Sequence, residues 1–390
     1  MLDRVAVGDL PPKHHVALRG PKGELRYEEC LTRAGFDGPY TILYHLNRPH
    51  ALAPAPSGHI AVSPRARRQA EDDSGLRRRH YRTQEHELVG APMDARMPLL
   101  FNDDVSIGIM KPTTDDTAYF VNADGDELFF VLAGHGIVRS VLGDVAFGPN
   151  DYVCIPRGTL HRITLEGARL HALFIECHGG VSIPKPFRNE AGQLRMDAPY
   201  SHRDFRRPIF RGPLDEGIRD VVVQRHGVYN GFRYGHSPLD AVGWDGTVYA
   251  FAFPILAFQP RVGSVHLPPT WHGTFAARGA LVSSFVPRPL DFHPDAIPCP
   301  YPHSSVDIDE VLFYASSTFT SRNAIGPGSI TFHPAGVPHG PHPGKYEASL
   351  GTKHTEEIAV MLDCERALTA TAQARSIEDP EYEGSFSAGE

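Results

Sequence analysis

The chain is 390 residues long, 41% hydrophobic and 22% charged, enough for two ordinary domains or one large one with a core of its own. Its formal net charge of −8 argues against the broad basic face that a nucleic-acid partner requires, and it holds no apolar run of about eighteen residues that could span a membrane. The opening MLDRVAVGDLPPKHH lacks the apolar core of a signal peptide, and five scattered cysteines (Cys30, Cys154, Cys177, Cys299, Cys364) without a CxxC pair suggest reduced thiols in a cytoplasmic protein.

In chain order, the arginine-dense stretch RARRQAEDDSGLRRRHYR (Arg65 to Arg82) interleaves acids with its bases and reads as a solvated loop. Strand-length apolar or alternating runs follow: ELFFVLAG, GIVRSVLG, DYVCIP, RLHALFIEC, TVYAFAF, ALVSSFV, EVLFYA, GSITFHP and EEIAVMLD. Turn residues drawn from 35 prolines and 37 glycines separate most neighbours, which predicts an all-β sandwich or barrel. The clearest helical period is ERALTATAQARSI, so a short C-terminal helix is expected over Glu365 to Ile377.

An internal repeat decides the architecture. NADGDELFFVLAGHG (Asn122 to Gly136) and PNDYVCIPRGTLHRI (Pro149 to Ile163) reappear as SSVDIDEVLFYASS (Ser304 to Ser317) and PGSITFHPAGVPHG (Pro327 to Gly340). Glu127 corresponds to Glu310, 183 residues on, and His161 to His339, 178 residues on, a difference one loop-length change would give. Two copies of one β-barrel module are expected, an N-terminal domain over 1–225 and a C-terminal domain over 226–390.

At the entrance to the EVLFY strand stand His303 and Glu310. Ionisable groups there cost free energy unless something pairs with them or binds them. The two differ in parity, so a turn through SSVDID must separate them, and its small and acidic residues suit one. Alternation then puts Glu310, Leu312 and Tyr314 on one face of the strand and Val311, Phe313 and Ala315 on the other.

The module resembles the cupin barrel, whose first motif brings two histidines and a glutamate and whose second is P-x-G-x-x-H. In the C-terminal copy the matches are His303, Glu310 and Pro334 to His339, with Ser305 in place of the second histidine. The resemblance implies a bicupin in which His303, Glu310 and His339 hold a metal, Asp309 being an alternative carboxylate. Two imidazoles and one carboxylate leave several positions open on non-haem Fe(II), and also suit Zn, Mn and Ni. In the N-terminal copy Phe120 and Asn122 stand where histidines should be. Glu127 and His161 persist there, so that barrel is expected to bind no metal, with His161 a satisfied core or rim histidine.

At a finer grain the chain is similar to the homogentisate 1,2-dioxygenase family, through SPLDAVGWDGTVYAFAF, PPTWHGTF, SFVPRPLDFHPDAIPCPYPHSS, DEVLFY and FHPAGVPHGPHPG. The resemblance implies an Fe(II) enzyme of aromatic catabolism that uses O2 to open the ring of a hydroquinone-type aromatic acid, in subunits assembled as trimers or hexamers. His333 and His342 are then expected to move protons beside the metal, and Tyr314, Phe319 and Arg322 to meet substrate, Arg322 as its carboxylate anchor. Two departures stand out: Phe319 replaces a family tyrosine, and LDAVGWDGTVY lacks the family's base histidine, for which His236, His266 or His272 could substitute. A cupin isomerase or hydrolase using another metal, or a non-catalytic bicupin, fits the same ligand set.

Overall fold

The computed structural model describes residues 3–56, 62–72, 75–317, 319–323 and 325–387. Strands dominate, as the turn-punctuated sequence predicts, in three seven-stranded sheets, one four-stranded sheet and a two-stranded ribbon. The N-terminal barrel pairs two of these. One runs in order Gly143–Phe147, Gly136–Ser140, His161–Leu165, Tyr119–Asn122, Asp220–Arg225, Val228–Arg233 and Ala53–Pro54. The other runs Phe251–Pro254, Asp151–Ile155, Asp126–Ala133, His171–Cys177, Val105–Met110, Arg96–Phe101 and Thr369–Ala370. Phe129, Val131, Val138, Val145 and Ile163 fill the space between them.

The third large sheet belongs to the second module, in order Val181–Ser182, Gly273–Ala277, Ala280–Phe285, Ala359–Cys364, Asp309–Tyr314, Ser329–His333 and Arg79–Arg82. Its Val311 and Phe313 join Leu128, Phe130, Leu173 and Ile175 of the N-terminal barrel in one continuous core, with the Phe130 and Phe313 rings 6.1 Å apart. This apolar burial, about 25 cal/mol per Å2, ties the modules back to back. Because side chains alternate, burying Val311 and Phe313 there turns Glu310, Leu312 and Tyr314 to the opposite face. The site therefore looks away from the partner barrel.

The chain interlocks its halves. Arg79–Arg82 completes the edge of the C-terminal sheet and Thr369–Ala370 the edge of an N-terminal one. The hairpin Asp220–Arg225 with Val228–Arg233 runs across the expected division at 225/226, and Ala241–Gly246 and Phe251–Pro254 pair with N-terminal strands.

Two expectations need correction. The helix over Glu365 to Ile377 does not form: Thr369–Ala370 is a strand and Ala374–Ile377 a single 3-10 turn. Tertiary partners override the period here, since the Leu368 amide donates to Asp309 (2.7 Å) and the Thr371 hydroxyl donates to the Pro98 carbonyl (2.8 Å) while accepting from the Ala374 amide. Among the described residues the one α-helix is Lys345–Ala348. The arginine-dense stretch is likewise no solvated loop. Arg77, Arg78 and Arg82 pair with Glu378, Glu383 and Asp379, and buried Arg79 reaches Glu71 and Glu378, fastening the C-terminal tail across the second module.

In the four-stranded sheet, His45 lies between Asp240 (2.7 Å) and Glu29 (3.0 Å). Burial opposes its charge, but the two carboxylates prevail and raise its pKa to about 9. The folded value exceeds the unfolded one, so the stabilisation is complete below about pH 6.5 and is lost as pH rises through about 9, on the order of 3 kcal/mol. Urea midpoints of wild type and His45→Gln are therefore expected to differ widely at pH 6 and to converge at pH 9.5; a constant gap would mean that His45 is neutral throughout.

Candidate metal centre

His303 and His339 are gathered by backbone pairing. Each amide donates to the other's carbonyl, at 2.8 and 2.9 Å, in an isolated antiparallel bridge that sets the two rings 4.3 Å apart. The bends at Val306 and Asp307 interrupt the pairing: seven steps from His303 to Glu310 lie opposite six from His333 to His339, and this one-residue slip brings Glu310, the second residue of its strand, round to the rings despite the parity mismatch. His303 Nδ1 donates to the Tyr301 carbonyl (3.2 Å) and His339 Nδ1 to that of Val337 (3.0 Å). This fixes the tautomer and leaves both Nε2 lone pairs free.

Those lone pairs face one carboxylate. His303 Nε2 lies 4.0 Å from Glu310 Oε2, and His339 Nε2 lies 3.7 Å from Oε1. The three ligand atoms fall within 4.8 Å of one another, too far for hydrogen bonds and close enough for one cation between them. His339 Nε2 is buried without a hydrogen-bond partner, an orphan that a metal ion would satisfy. Burial, against the pull of Glu310, lowers the His339 pKa and keeps its lone pair available. Asp309, the alternative ligand, is spent on structure: its carboxylate accepts from the Ala335 and Leu368 amides.

Behind the cluster runs a relay of which the sequence revealed His333 but not its partner Tyr382. His333, directly opposite Glu310 across the strand pair, donates from Nδ1 to Glu310 Oε1 at 2.7 Å and accepts at Nε2 from the Tyr382 hydroxyl at 3.0 Å. Burial lowers the His333 pKa to about 4 against the carboxylate, so the ring is neutral at physiological pH. Burial pushes Glu310 upward, but the His333 hydrogen bond, with the more distant Arg322 charge, holds it at about 2. Tyr382 belongs to the tail that the arginine cluster pins down, and Arg78 stacks over Phe386 of the same turn at 4.0 Å. The readable signal was charge complementarity between RRRHYR and EDPEYE.

The other expected site residues divide. Phe319 and Arg322 line the cavity that contains His303, Glu310 and His339, together with Leu312, Met361 and Phe285. Arg322 is buried. Its Nη1 donates to the Gly340 carbonyl at 2.5 Å while its Nε has no partner. Tyr314 is fully buried behind Phe319, its hydroxyl 3.0 Å from Thr331 Oγ1, and does not reach the cavity wall. His342 also lies off the cavity, accepting from the Asn323 amide (3.0 Å) and packing on Phe386. Of the substitute histidines, His266 and His272 line the cavity, whereas His236 sits beside Tyr234 and Asp240 in a different one.

The N-terminal barrel is an internal control. Glu127 and His161 occupy the equivalent places, with His161 Nε2 4.0 Å from the carboxylate. A guanidinium fills the position a cation would take: Arg96 donates to both Glu127 oxygens at 2.7 and 3.0 Å and lies over Phe174 and Phe120, while Asn122 donates to Oε1 at 3.0 Å. His161 is buried, but its Nε2 is left without a partner rather than satisfied.

Two strand barrels packed back to back, one with a histidine–carboxylate cluster open to a cavity, define a bicupin. Residues 100–255 match the homogentisate 1,2-dioxygenase N-terminal family. A Saccharolobus solfataricus protein named as a candidate dioxygenase is 35% identical over 384 residues, 96% of each chain. The homogentisate 1,2-dioxygenase of Rhizobium johnstonii is 27% identical over 295 residues, 72% of this chain and 62% of that one. A cupin 2 conserved barrel domain protein from Leptotrichia buccalis superposes with a TM-score of 0.32 at 10% identity, over 70% of this chain and 88% of that one. The chain belongs to the homogentisate dioxygenase family.

Removing any one of the three clustered side chains should abolish metal retention. His303→Ala, Glu310→Ala and His339→Ala are expected to hold no stoichiometric metal after dialysis, whereas Tyr382→Phe should keep it with about tenfold weaker affinity in a chelator competition. Wild-type metal content in the three alanine variants would contradict this geometry.

Proposed function

We propose that the chain is an Fe(II)- and O2-dependent dioxygenase that cleaves the ring of homogentisate or a closely related dihydroxylated aromatic acid. One observation carries the reading: two imidazole lone pairs and one carboxylate converge within 4.8 Å in a cavity that also receives a buried guanidinium. Fe(II) held by His303, Glu310 and His339 would supply redox chemistry and open positions for a chelating substrate and dioxygen.

The chain's own residues account for the rest. Arg322 offers an acidic substrate its charge and an unpartnered Nε, and Phe319, Phe285 and Leu312 give a ring apolar walls. His272 lines the cavity with its Nδ1 unpartnered, and burial, helped by Arg288 and His266, lowers its pKa to about 3; the neutral ring offers a substrate hydroxyl a hydrogen-bond acceptor but is too weak a base to take its proton. His333 acts by orienting Glu310 rather than by meeting substrate. Free cysteines and the lack, among the described residues, of any helix long and apolar enough to cross a membrane accord with work in the cytoplasm, and the family resemblance implies assembly as a trimer or hexamer.

Oxygen-electrode assays of Fe(II)-loaded protein against homogentisate, gentisate and other hydroquinones should show one O2 consumed per substrate and a product mass equal to substrate plus O2. Arg322→Met should raise KM for the acid by about tenfold or more with a smaller effect on kcat. Turnover that proceeds without oxygen would contradict the reading and favour an isomerase or hydrolase.

A further inference from the structure

A cleft of about 650 Å3 opens at the seam between the two barrels. It shares no lining residue with the cavity of the histidine cluster. The strand Gly273–Ala277 runs between them, starting next to His272 at the metal cavity and ending in the cleft at Ala276 and Ala277. The cleft's size is that of a small-molecule site.

Its chemistry is two-sided. Phe205, Tyr249, Phe251 and Phe275, all buried, give it an aromatic floor. Five cations line it against a single carboxylate, Asp126, on a chain whose net charge is −8. Asp126 is already saturated by Arg33 (2.6 Å) and by the amides of Arg157 (2.9 Å) and Val181 (2.8 Å). Arg278 is engaged by Asp104 at 2.6 Å. Among the described residues, Arg157, Lys185 and Arg188 have no carboxylate partner, and Arg188 Nε is buried with no hydrogen bond at all. A buried guanidinium nitrogen left unsatisfied costs free energy that an incoming anion would recover.

We propose that this cleft is a second ligand site that takes an aromatic carboxylate, its ring on the Phe205–Phe275 floor and its carboxylate at the rim formed by Arg157, Lys185 and Arg188. An aromatic floor selects a planar apolar body, and unpaired guanidinium groups select the planar anion they can grip with two parallel hydrogen bonds. The site is independent of the metal, so it stands or falls separately from the oxygenase reading.

Calorimetric titration of the metal-free full chain with 2-naphthoate tests it. One equivalent per chain should bind, unaffected by Arg322→Ala, and at least tenfold more weakly in Arg157→Ala/Arg188→Ala or when the uncharged 2-naphthamide replaces the acid. Should the double variant not fold, Arg157→Gln, at an exposed residue, is expected to weaken binding by about threefold or more, in keeping with loss of one surface charge. Binding that survives both substitutions, or that disappears with Arg322→Ala instead, overturns the proposal. So does a wild-type assembly that Arg157→Glu/Arg188→Glu dissociates in sedimentation, because a second copy of the chain would then close the cleft.

Discussion

Two backbone hydrogen bonds between His303 and His339 hold the candidate site together. They join the loop before one strand to the loop after the next, so two imidazoles far apart in sequence stand side by side. Neither loop has regular structure that would otherwise fix it. With both Nδ1 atoms engaged by carbonyls two residues upstream, the only free ring atoms point inward. Among the described residues no lysine or arginine lies within ion-pair distance of the Glu310 carboxylate; its neighbours there are three imidazoles. A buried carboxylate surrounded in this way is electrostatically incomplete, and a divalent cation would complete it.

The two barrels show this by contrast. Each keeps a glutamate near a strand start and a histidine after a proline-glycine turn. In the N-terminal barrel Arg96 grips Glu127 with two hydrogen bonds, so the charge is balanced within the chain. In the C-terminal barrel the equivalent space is left to the cavity. One template thus yields a structural ion pair or a candidate binding site, depending on whether a cation is supplied by the chain.

Much of this was legible in the sequence because it is local or repeated. Glu310 and His339 follow from the repeat, His303 from its place ahead of the strand, and the outward face of Glu310 from alternation against Val311 and Phe313. What escaped the sequence depends on partners remote in the chain. Arg96 reveals nothing of its role until Asp126–Ala133 and Arg96–Phe101 are placed in one sheet. Tyr382 gains meaning only because Arg77, Arg78 and Arg82 pin the acidic tail against the second module. Glu365 to Ile377 carries a helical period, yet pairing with Leu100 and Phe101 draws Thr369 and Ala370 into a sheet. Tyr314 shares the face of Glu310 as alternation requires, but Phe319 covers it, and a flanking loop's path cannot be read from strand parity.

Crystals grown anaerobically with Fe(II) and measured at the iron absorption edge test the account most directly. It predicts one anomalous peak about 2.0–2.3 Å from His303 Nε2, His339 Nε2 and a Glu310 oxygen, with none beside Glu127 and His161. A peak elsewhere, or an empty cluster in protein that carries iron in solution, would contradict it.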